Sequence, residues 1–235
     1  MESTKDILAK LEEDLELRGF SSGTKQMYRS KINSYLRFIK RPLQETYEAD
    51  VRDYLKHLRR SAHLENCTIN CYLAAIRFLY IVVLGYPLDR LQVPNMKLPK
   101  RLPVILSRDE VASIIDAAEN TKHKVMIMLA YSAGLRVSEI ISLKVEDIDS
   151  KSMRIYVREG KGAKDRYTLL SKVCLEALRR YWVGYRPEHP DGWLFPGVCS
   201  TGHIKSSAVA GAFGKALSAS KVTKRASMHT MRNPI

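Results

Sequence analysis

Residues 86–103, with the sequence YPLDRLQVPNMKLPKRLP, constrain the fold most because they separate two regions of different character. Four prolines and four basic residues occupy these 18 positions, and the apolar residues follow no helical spacing. Proline lacks a backbone donor and disfavours a helical residue before it, so no long helix can cross the segment. We therefore predict two domains, residues 1–86 and 104–235, joined by an extended basic linker at 87–103.

The first region has the hydrophobic spacing of four helices. In each of four segments apolar residues recur every three or four positions, and Gly19, Pro42 and Gly85 follow three of these segments. Short connections between helices of this length are typical of a small bundle. The apolar stripes consist of Ile7, Leu8, Leu11 and Leu15; Tyr28, Ile32, Tyr35, Leu36 and Ile39; Val51, Tyr54, Leu55 and Leu58; and Ile69, Leu73, Ile76, Leu79 and Tyr80.

The second region mixes helices with a small amount of strand. Ser107 and Glu110 have the spacing of a capping box, which predicts the start of a helix. Two β-rich runs flank the basic segment 160–165 and predict a β-hairpin with a long tip. The run EHPDGWLFPG predicts a further, turn-rich strand. We therefore expect a mainly α-helical protein with a small antiparallel β-sheet.

The net charge favours a polyanionic partner. Lysine and arginine number 39 against 25 aspartates and glutamates, which gives a formal net charge of +14. Residues 1–94 hold 15 basic and 12 acidic side chains, whereas residues 95–235 hold 24 and 13. Such an excess on a folded chain is typical of nucleic-acid binding and less often of binding to an anionic membrane surface. We expect the second region to carry most of the positive potential.

The cysteines predict neither a disulfide framework nor a metal site. Cys67 and Cys71 lie one helical turn apart, which suggests two small core residues, and no Cys or His cluster accompanies them at ligand spacing. The N-terminal sequence lacks the apolar core of a secretory signal. The longest apolar run, FLYIVVLGY, is too short to span a bilayer. We expect a soluble cytoplasmic protein with no metal and no membrane contact.

Three elements of the second region carry residues that suit chemistry on a phosphodiester. Arg136 follows Gly134 in a tight turn between two helices, Lys161 lies between two glycines at the hairpin tip, and His229 and Arg232 form a His-x-x-Arg pair. Each feature alone is common. Together, two guanidiniums can bind the non-bridging oxygens of a phosphate, a lysine can protonate a leaving oxygen, and an imidazole can transfer a proton near neutral pH.

These motifs, in this order and spacing, resemble the tyrosine recombinase (phage-type integrase) family, and most closely its Xer-like and integron-type members. The resemblance rests on YSAGLRVSEIISLKVEDID, VREGKGAKDRYTLL and HTMR, while FSSGTKQMYRSKINSYLRFI resembles the family's N-terminal core-binding domain. It implies a two-domain clamp around duplex DNA, made of a four-helix, SAM-like core-binding domain and a catalytic domain. It also implies site-specific cleavage and rejoining of strands through a 3′-phosphotyrosyl bond, with no metal and no other cofactor.

The resemblance assigns roles to five residues. Arg136 and Arg232 match the family's two phosphate-binding arginines, and Glu139 matches an acidic residue that supports the site. Lys161 matches the hairpin lysine that acts as general acid, and His229 matches the histidine of the His-x-x-Arg element. The implied partners are double-stranded DNA and other recombinase protomers bound to that DNA.

The C-terminus departs from the family pattern. In the family a helix, a second histidine or tryptophan and the nucleophilic tyrosine follow the His-x-x-Arg element, whereas here only Asn233, Pro234 and Ile235 follow it. All 12 tyrosines precede His229. We therefore expect a recombinase truncated before its nucleophile, either as a fragment or as a naturally short DNA-binding protein. The chain alone is then expected to form no covalent adduct with DNA.

The sequence leaves two alternatives to an enzyme. One is a DNA-binding protein without chemistry, which would regulate recombination or compete with a full-length relative. The other is a generic basic helical protein that binds RNA or membranes, and the glycine-flanked Lys161 argues against it. Replacing Arg136 with alanine separates the first alternative from an enzyme, because it would abolish catalysis in an enzyme and change only affinity in a binding protein.

Overall fold

The computed structural model of the protein divides into two compact units, Met1–Arg101 and Leu102–Ile235, each with its own hydrophobic core. Helices dominate both units, and the second also contains three antiparallel strands. The expected fold class, mainly α with a small antiparallel sheet, is therefore confirmed. The residues that the structure describes are 4–99, 102–158, 164–198 and 202–232.

The described part of the first unit contains four α-helices, as the apolar spacing predicts. Their bounds are α1 (Thr4–Leu17), α2 (Ser22–Ile39), α3 (Glu48–Arg60) and α4 (Asn66–Phe78), and α4 continues into a π-helical turn at Leu79–Val83. The predicted stripes supply most of the core. Its fully buried side chains include Leu11, Leu15, Ile32, Tyr35, Val51, Ile69, Leu73, Ile76 and Leu79.

A network of buried hydroxyls lies inside this helical core. The hydroxyls of Tyr35 and Tyr80 are 2.9 Å apart, and the hydroxyl of Thr46 bonds to that of Tyr80. Thr46 also donates to the carbonyl of Leu43 at 2.6 Å. Because a buried polar group without a partner costs free energy, these mutual bonds allow three hydroxyls to lie in an apolar core.

Part of the proline-rich segment packs against the first unit. Leu88 and Val93 are 5% and 0% exposed and belong to the core of that unit. Polar side chains of α4 hold the backbone that follows Val93. The first compact unit therefore extends well beyond residue 86.

The second unit is built around one buried helix. Helix α6 is apolar on nearly all sides, with Val125, Met126, Ile127, Leu129 and Ala130 buried, and it contacts four other helices of the unit. A helix of this kind forms the centre of a globular core. The elements of the unit are α5 (Arg108–Asp116), α6 (Thr121–Ser132), α7 (Val137–Ile141), β1 (Ile148–Asp149), β2 (Arg154–Val157), β3 (Arg166–Leu169), α8 (Lys172–Tyr185) and α9 (Ser206–Ala219).

The capping box predicted for α5 is present. The backbone N–H of Glu110 donates to Ser107 Oγ at 3.2 Å, and the N–H of Ser107 donates to Glu110 Oε2 at 2.7 Å. Lys224 contributes an ion pair to the same carboxylate at 2.8 Å. The two reciprocal bonds satisfy helix N–H groups that would otherwise lack partners.

The predicted β-hairpin is confirmed in its two arms. Strands β2 and β3 pair antiparallel from Arg154↔Leu169 to Val157↔Arg166, and β1 adds a third strand beside β2. The tip, residues 159–163, lies outside the described residues. The further strand predicted in EHPDGWLFPG forms only isolated bridges, Lys144↔Trp193 and Pro196↔His203, because turns and prolines interrupt it.

The expected core position of Cys67 and Cys71 is wrong. Both side chains are exposed on α4, while Ile69 and Leu73 of the same helix are fully buried. Two residues along a helix correspond to a rotation of about 200°, so the cysteines face away from the core stripe.

Among the described residues, one helical stretch has the length and hydropathy of a membrane span. It is Asn66–Val83, which comprises α4 and its π-helical turn. Its apolar residues Ile69, Leu73 and Ile76 are fully buried against the other helices of the first unit. Core helices of globular domains also meet these criteria, so the stretch is weak evidence for a membrane protein.

The hydroxyl network makes a testable contribution to stability. Tyr80→Phe removes the shared partner of Tyr35 and Thr46, so we expect the free energy of unfolding to fall by about 1–3 kcal/mol. Urea denaturation of the two proteins measures the difference. Tyr86→Phe, at a side chain that is 43% exposed, is the matched control and should change stability little. Equal stability of Tyr80→Phe and the wild type would show that the network contributes nothing.

Candidate active site

A tight turn between α6 and α7 positions Arg136. Gly134 adopts a left-handed backbone conformation with φ of +63°, which glycine tolerates without the steric cost of a Cβ atom. Leu135 is fully buried and anchors the turn in the core. Arg136 then precedes the first residue of α7 with an extended backbone, and its side chain is 37% exposed. The turn therefore places a cation at the surface on a rigid support.

A buried carboxylate, that of Glu139, holds this arginine. Its Oε2 accepts a bond from the backbone N–H of Arg136 at 2.8 Å, and its Oε1 accepts one from Arg136 Nη1 at 2.8 Å. Arg166 on β3 donates from Nη1 to Oε1 at 2.9 Å and from Nη2 to Oε2 at 2.8 Å. Glu139 thus receives bonds from two guanidiniums, although its side chain is only 5% exposed. Charge-assisted bonds of this kind fix both distance and orientation.

The two arginines keep Glu139 ionised. Burial, the largest single influence, raises the pKa of its carboxyl group, but hydrogen bonds from Arg166 and Arg136 outweigh burial and lower the pKa to about 2. The folded state therefore holds a carboxylate at every pH near neutrality. The permanent negative charge of Glu139 offsets the repulsion between Arg136 and Arg166 and keeps both guanidiniums in place.

Arg232 reaches the same turn from a remote part of the chain. Thr230–Arg232 form a short 3-10 turn, and Met231 is buried in the core of the second unit. Arg232 Nε donates to the carbonyl oxygen of Gly134 at 2.7 Å. Burial lowers the pKa of Arg232, and the nearby charges of Arg136 and Arg166 lower it further, while the charge of Glu139 acts in the opposite direction.

The remaining expected site residues are His229 and Lys161, of which the structure describes only His229. His229 has an exposed side chain, and its backbone carbonyl accepts a bond from the N–H of Arg232 at 3.2 Å. Lys161 lies in the hairpin tip, outside the described residues. The structure brings together Arg136, Glu139 and Arg232, and His229 adjoins this group through the turn that carries Arg232.

A second carboxylate braces the start of the hairpin loop. Asp147 is 2% exposed, and its Oδ1 accepts bonds from Arg158 Nε at 3.0 Å and Nη2 at 2.8 Å. Its Oδ2 accepts the backbone N–H of Lys144 at 2.8 Å. Arg158 directly follows β2, so this bridge fixes one end of the loop whose tip carries Lys161.

We call Arg136, Arg166, Arg232 and Glu139 the guanidinium cluster. Three positive charges surround one carboxylate, so the cluster keeps a positive excess that attracts an anion. Nη1 and Nη2 of Arg232 make no hydrogen bond to any described residue, and the side chain of Arg136 is partly exposed. The described residues contain no group of three or more His, Cys, Asp or Glu side chains that could hold a metal ion. The cluster can therefore bind a phosphate through guanidinium donors.

Arg166 is a residue of the cluster that the sequence motifs do not predict. Alternate residues of a strand share a face, and Arg166 and Thr168 of β3 both point towards the turn that carries Arg136. Thr168 Oγ1 donates to the carbonyl of Ala133 at 2.8 Å. Arg166 and Thr168 are half-buried, whereas Tyr167 and Leu169 are exposed. In the sequence, the only sign of this shared face is that Arg166 and Thr168 lie two positions apart.

The ionisation of Glu139 predicts a specific pH dependence of stability. Its pKa is lower in the folded chain than the ordinary value of 4.5, so its stabilising contribution is complete above about pH 4.5 and is lost as pH falls towards 2. The shift corresponds to at most about 3 kcal/mol. Glu139→Gln should be several kcal/mol less stable at pH 7, because two guanidiniums lose their counter-charge. Urea denaturation from pH 7 to pH 3 measures both effects.

The control for this experiment is Glu176→Gln, at an exposed position of α8. Its stability should follow that of the wild type at every pH. The difference in stability between wild type and Glu139→Gln should shrink below pH 4.5. A difference that stays constant down to pH 3 would contradict the lowered pKa of Glu139.

Comparisons with known proteins identify the family. Residues 105–234 match the model of the Phage integrase family, and residues 7–90 match that of the Phage integrase N-terminal SAM-like domain. The chain is 36% identical over 227 residues to a putative integrase/recombinase, y4qK, of Sinorhizobium fredii, covering 95% of this chain and 72% of the relative. It is 35% identical over 178 residues to the tyrosine recombinase XerA of Pyrococcus horikoshii, covering 75% of this chain and 60% of the relative.

The fold is also that of a solved integrase. The crystal structure of a lambda integrase (75–356) dimer bound to a COC′ core site matches with a TM-score of 0.74 at 18% identity, covering 98% of this chain and 87% of that one. The two family models together span both compact units. The chain therefore belongs to the phage integrase family of tyrosine recombinases.

Proposed function

We propose that this chain acts in site-specific DNA recombination, binding duplex DNA and activating one phosphodiester for strand exchange. The observation that carries the proposal is the guanidinium cluster, in which buried Glu139 orients Arg136 and Arg166 beside Arg232. A preorganised set of cations stabilises the charge that develops on a phosphate during transfer without reorganising at the moment of reaction. Membership of the tyrosine recombinase family supports the same reaction class.

In this proposal Arg136 and Arg232 bind the non-bridging oxygens of the scissile phosphate. Arg136 uses Nη1 for Glu139, which leaves other donors of its planar fork for a ligand. Arg232 uses Nε for Gly134, which leaves both Nη groups. Both Nη groups of Arg166 donate to Glu139, so we assign Arg166 as a positioning residue that does not bind the phosphate itself.

Proton transfer falls to Lys161 and His229. We assign Lys161 as the general acid that protonates the leaving 5′-oxygen, because the long side chain of a lysine between two hairpin strands can reach a DNA backbone. The exposed imidazole of His229 would accept the proton that the attacking hydroxyl loses. The attacking group is a tyrosine hydroxyl, which the family resemblance expects beyond the His-x-x-Arg element. Its oxygen bonds to phosphorus as the 5′-oxygen leaves, forming the 3′-phosphotyrosyl bond.

The proposed partners follow from the charge and from the family. Both units would contact one duplex, with residues 1–86 as the helices of the core-binding domain, 87–103 as a linker whose first part packs on that domain, and 104–235 as the catalytic domain. Further protomers would bind the same DNA, as in the solved dimer of lambda integrase on its core site. The net charge of +14 supports a DNA partner, and the affinity should fall steeply with salt. We place this activity in the cytoplasm and assign no cofactor to it.

The activation of the phosphate can be tested without relying on any particular tyrosine. A binding site is first selected from random duplex DNA, and hydrogen peroxide is then added as a small oxygen nucleophile. We expect the wild-type chain to cleave the bound site and Arg136→Ala to lose at least about 100-fold in cleavage rate, since it removes a donor to the transition state. DNA affinity should fall less than tenfold, because many other phosphate contacts remain.

The matched control is Arg180→Ala, at an exposed arginine of α8 outside the cluster. It should leave both affinity and cleavage close to those of the wild type. Cleavage by Arg136→Ala at the wild-type rate would refute the role of the cluster. Site-specific binding without cleavage by the wild type would favour a DNA-binding protein that performs no chemistry.

A further inference from the structure

Three side chains of α4 hold the backbone of the proline-rich segment. Asn70 is bonded twice to Met96, with its Nδ2 donating to the carbonyl at 3.0 Å and its Oδ1 accepting the N–H at 2.8 Å. Asn66 Nδ2 donates to the carbonyl of Lys97 at 2.8 Å. Arg77 donates to the carbonyl of Val93 from Nη2. We call Asn66, Asn70 and Arg77 the α4 clasp.

The spacing of the clasp matches the geometry of a helix. Asn66, Asn70 and Arg77 lie four and seven residues apart, and at 100° per residue their directions agree within about 40°. One stripe of α4 therefore lies alongside the backbone of residues 93–97, which runs in the opposite direction. Asn70 satisfies both the donor and the acceptor of Met96, as a neighbouring β-strand would.

The position of Arg77 indicates that the clasp serves geometry more than stability. Its Nη1 donates to Asn95 Oδ1 at 2.6 Å, but its buried Nε has no hydrogen-bond partner. No carboxylate forms an ion pair with it among the described residues, and burial lowers its pKa, with the charge of Arg90 adding to the effect. A partly buried guanidinium without a counter-charge is costly, so a simple packing role would be met better by an apolar residue.

The clasp fixes the base of a solvent-exposed cation. The backbone of Lys97 is held by Asn66, the first residue of α4, while the side chain of Lys97 is exposed and forms no ion pair with the described residues. Unpaired N–H groups at the start of a helix add positive potential at this point. Lys100 and Arg101 follow in the sequence and extend the run of cations. A phosphate is the ligand that suits this combination.

We propose that Asn66, Asn70 and Arg77 are positioning residues for DNA binding, which hold the segment after Val93 on α4 so that Lys97 contacts a phosphate of the DNA backbone. The proposal rests on the proposed function, because it assumes that the chain binds DNA. It assigns a task to a segment that the sequence presents as a free linker. It also predicts that the clasp and Lys97 act as one unit.

A double-mutant cycle on the full chain tests this coupling. Affinity for random-sequence duplex DNA is measured for wild type, Asn70→Ala, Lys97→Ala and the double variant over a range of salt concentrations. We expect either single change to lower affinity about three- to tenfold and to reduce the salt slope by about one. The double variant should be no weaker than Lys97→Ala alone.

Hydrogen exchange of the Met96 amide reports the clasp itself. Asn70→Ala should speed this exchange at least about tenfold, because the amide loses its acceptor. Asn70→Asp keeps an acceptor oxygen and should preserve the slow exchange. Asn66→Ala is a second variant, and it removes one hydrogen bond to the segment where Asn70→Ala removes two. Cys71→Ala, at the exposed neighbouring position, is the control and should change neither the exchange rate nor the DNA affinity.

The outcomes separate the clasp from the proposed function. Faster exchange with a matching, non-additive loss of affinity supports the positioning role. Unchanged DNA affinity of Asn70→Ala, or losses that add to that of Lys97→Ala, would overturn it while leaving the proposed function intact. A wild-type chain without affinity for duplex DNA would refute both.

Discussion

The arrangement of the second unit depends on one buried carboxylate, Glu139, between two guanidiniums. Its four hydrogen bonds tie the start of α7 to the hairpin strand β3. Without that charge, Arg136 and Arg166 would repel each other, and neither would be held at a fixed distance from the turn at Gly134. The position of the partly exposed Arg136 is therefore set by a side chain that is itself buried. A buried ion pair contributes little net stability in general, so its value here is orientation.

A hydrogen bond between a side chain and a backbone carbonyl also connects segments that are far apart in the chain. Arg232 Nε bonds to the carbonyl of Gly134, which a left-handed backbone turns towards it. Ninety-eight residues separate these two groups, and the buried Met228 and Met231 supply the apolar anchorage that the single bond lacks. Cations with like charge are thus brought together by backbone oxygens and one carboxylate, each of which offsets part of their repulsion. What remains uncompensated is an attraction for an anion.

The sequence predicted the elements better than their partners. Helical stripes, the capping box at Ser107 and the hairpin arms follow from local spacing, and the prediction that Arg136 lies in a tight turn between two helices is confirmed. Arg166 was not predicted, because its contact with Glu139 depends on the register of β3 in the sheet, which local sequence does not determine. The exposed position of Cys67 and Cys71 was not predicted for a related reason. The spacing of residues shows which side chains share a face of a helix, but the packing of the helix decides which face is buried.

The proline-rich segment shows where local reasoning ends. Its composition predicts an extended chain, and residues 94–97 belong to no helix or strand, but composition does not say what such a backbone lies against. Two asparagines and one arginine on α4 provide that answer through bonds to main-chain groups, which carry no sequence signal in the segment they hold. Side chains that bind remote backbone therefore position both the cluster at Gly134 and the cation at Lys97. In each unit, an exposed cation is held by a neighbouring side chain that is itself bonded to the protein, Arg136 by Glu139 and Lys97 by Asn66.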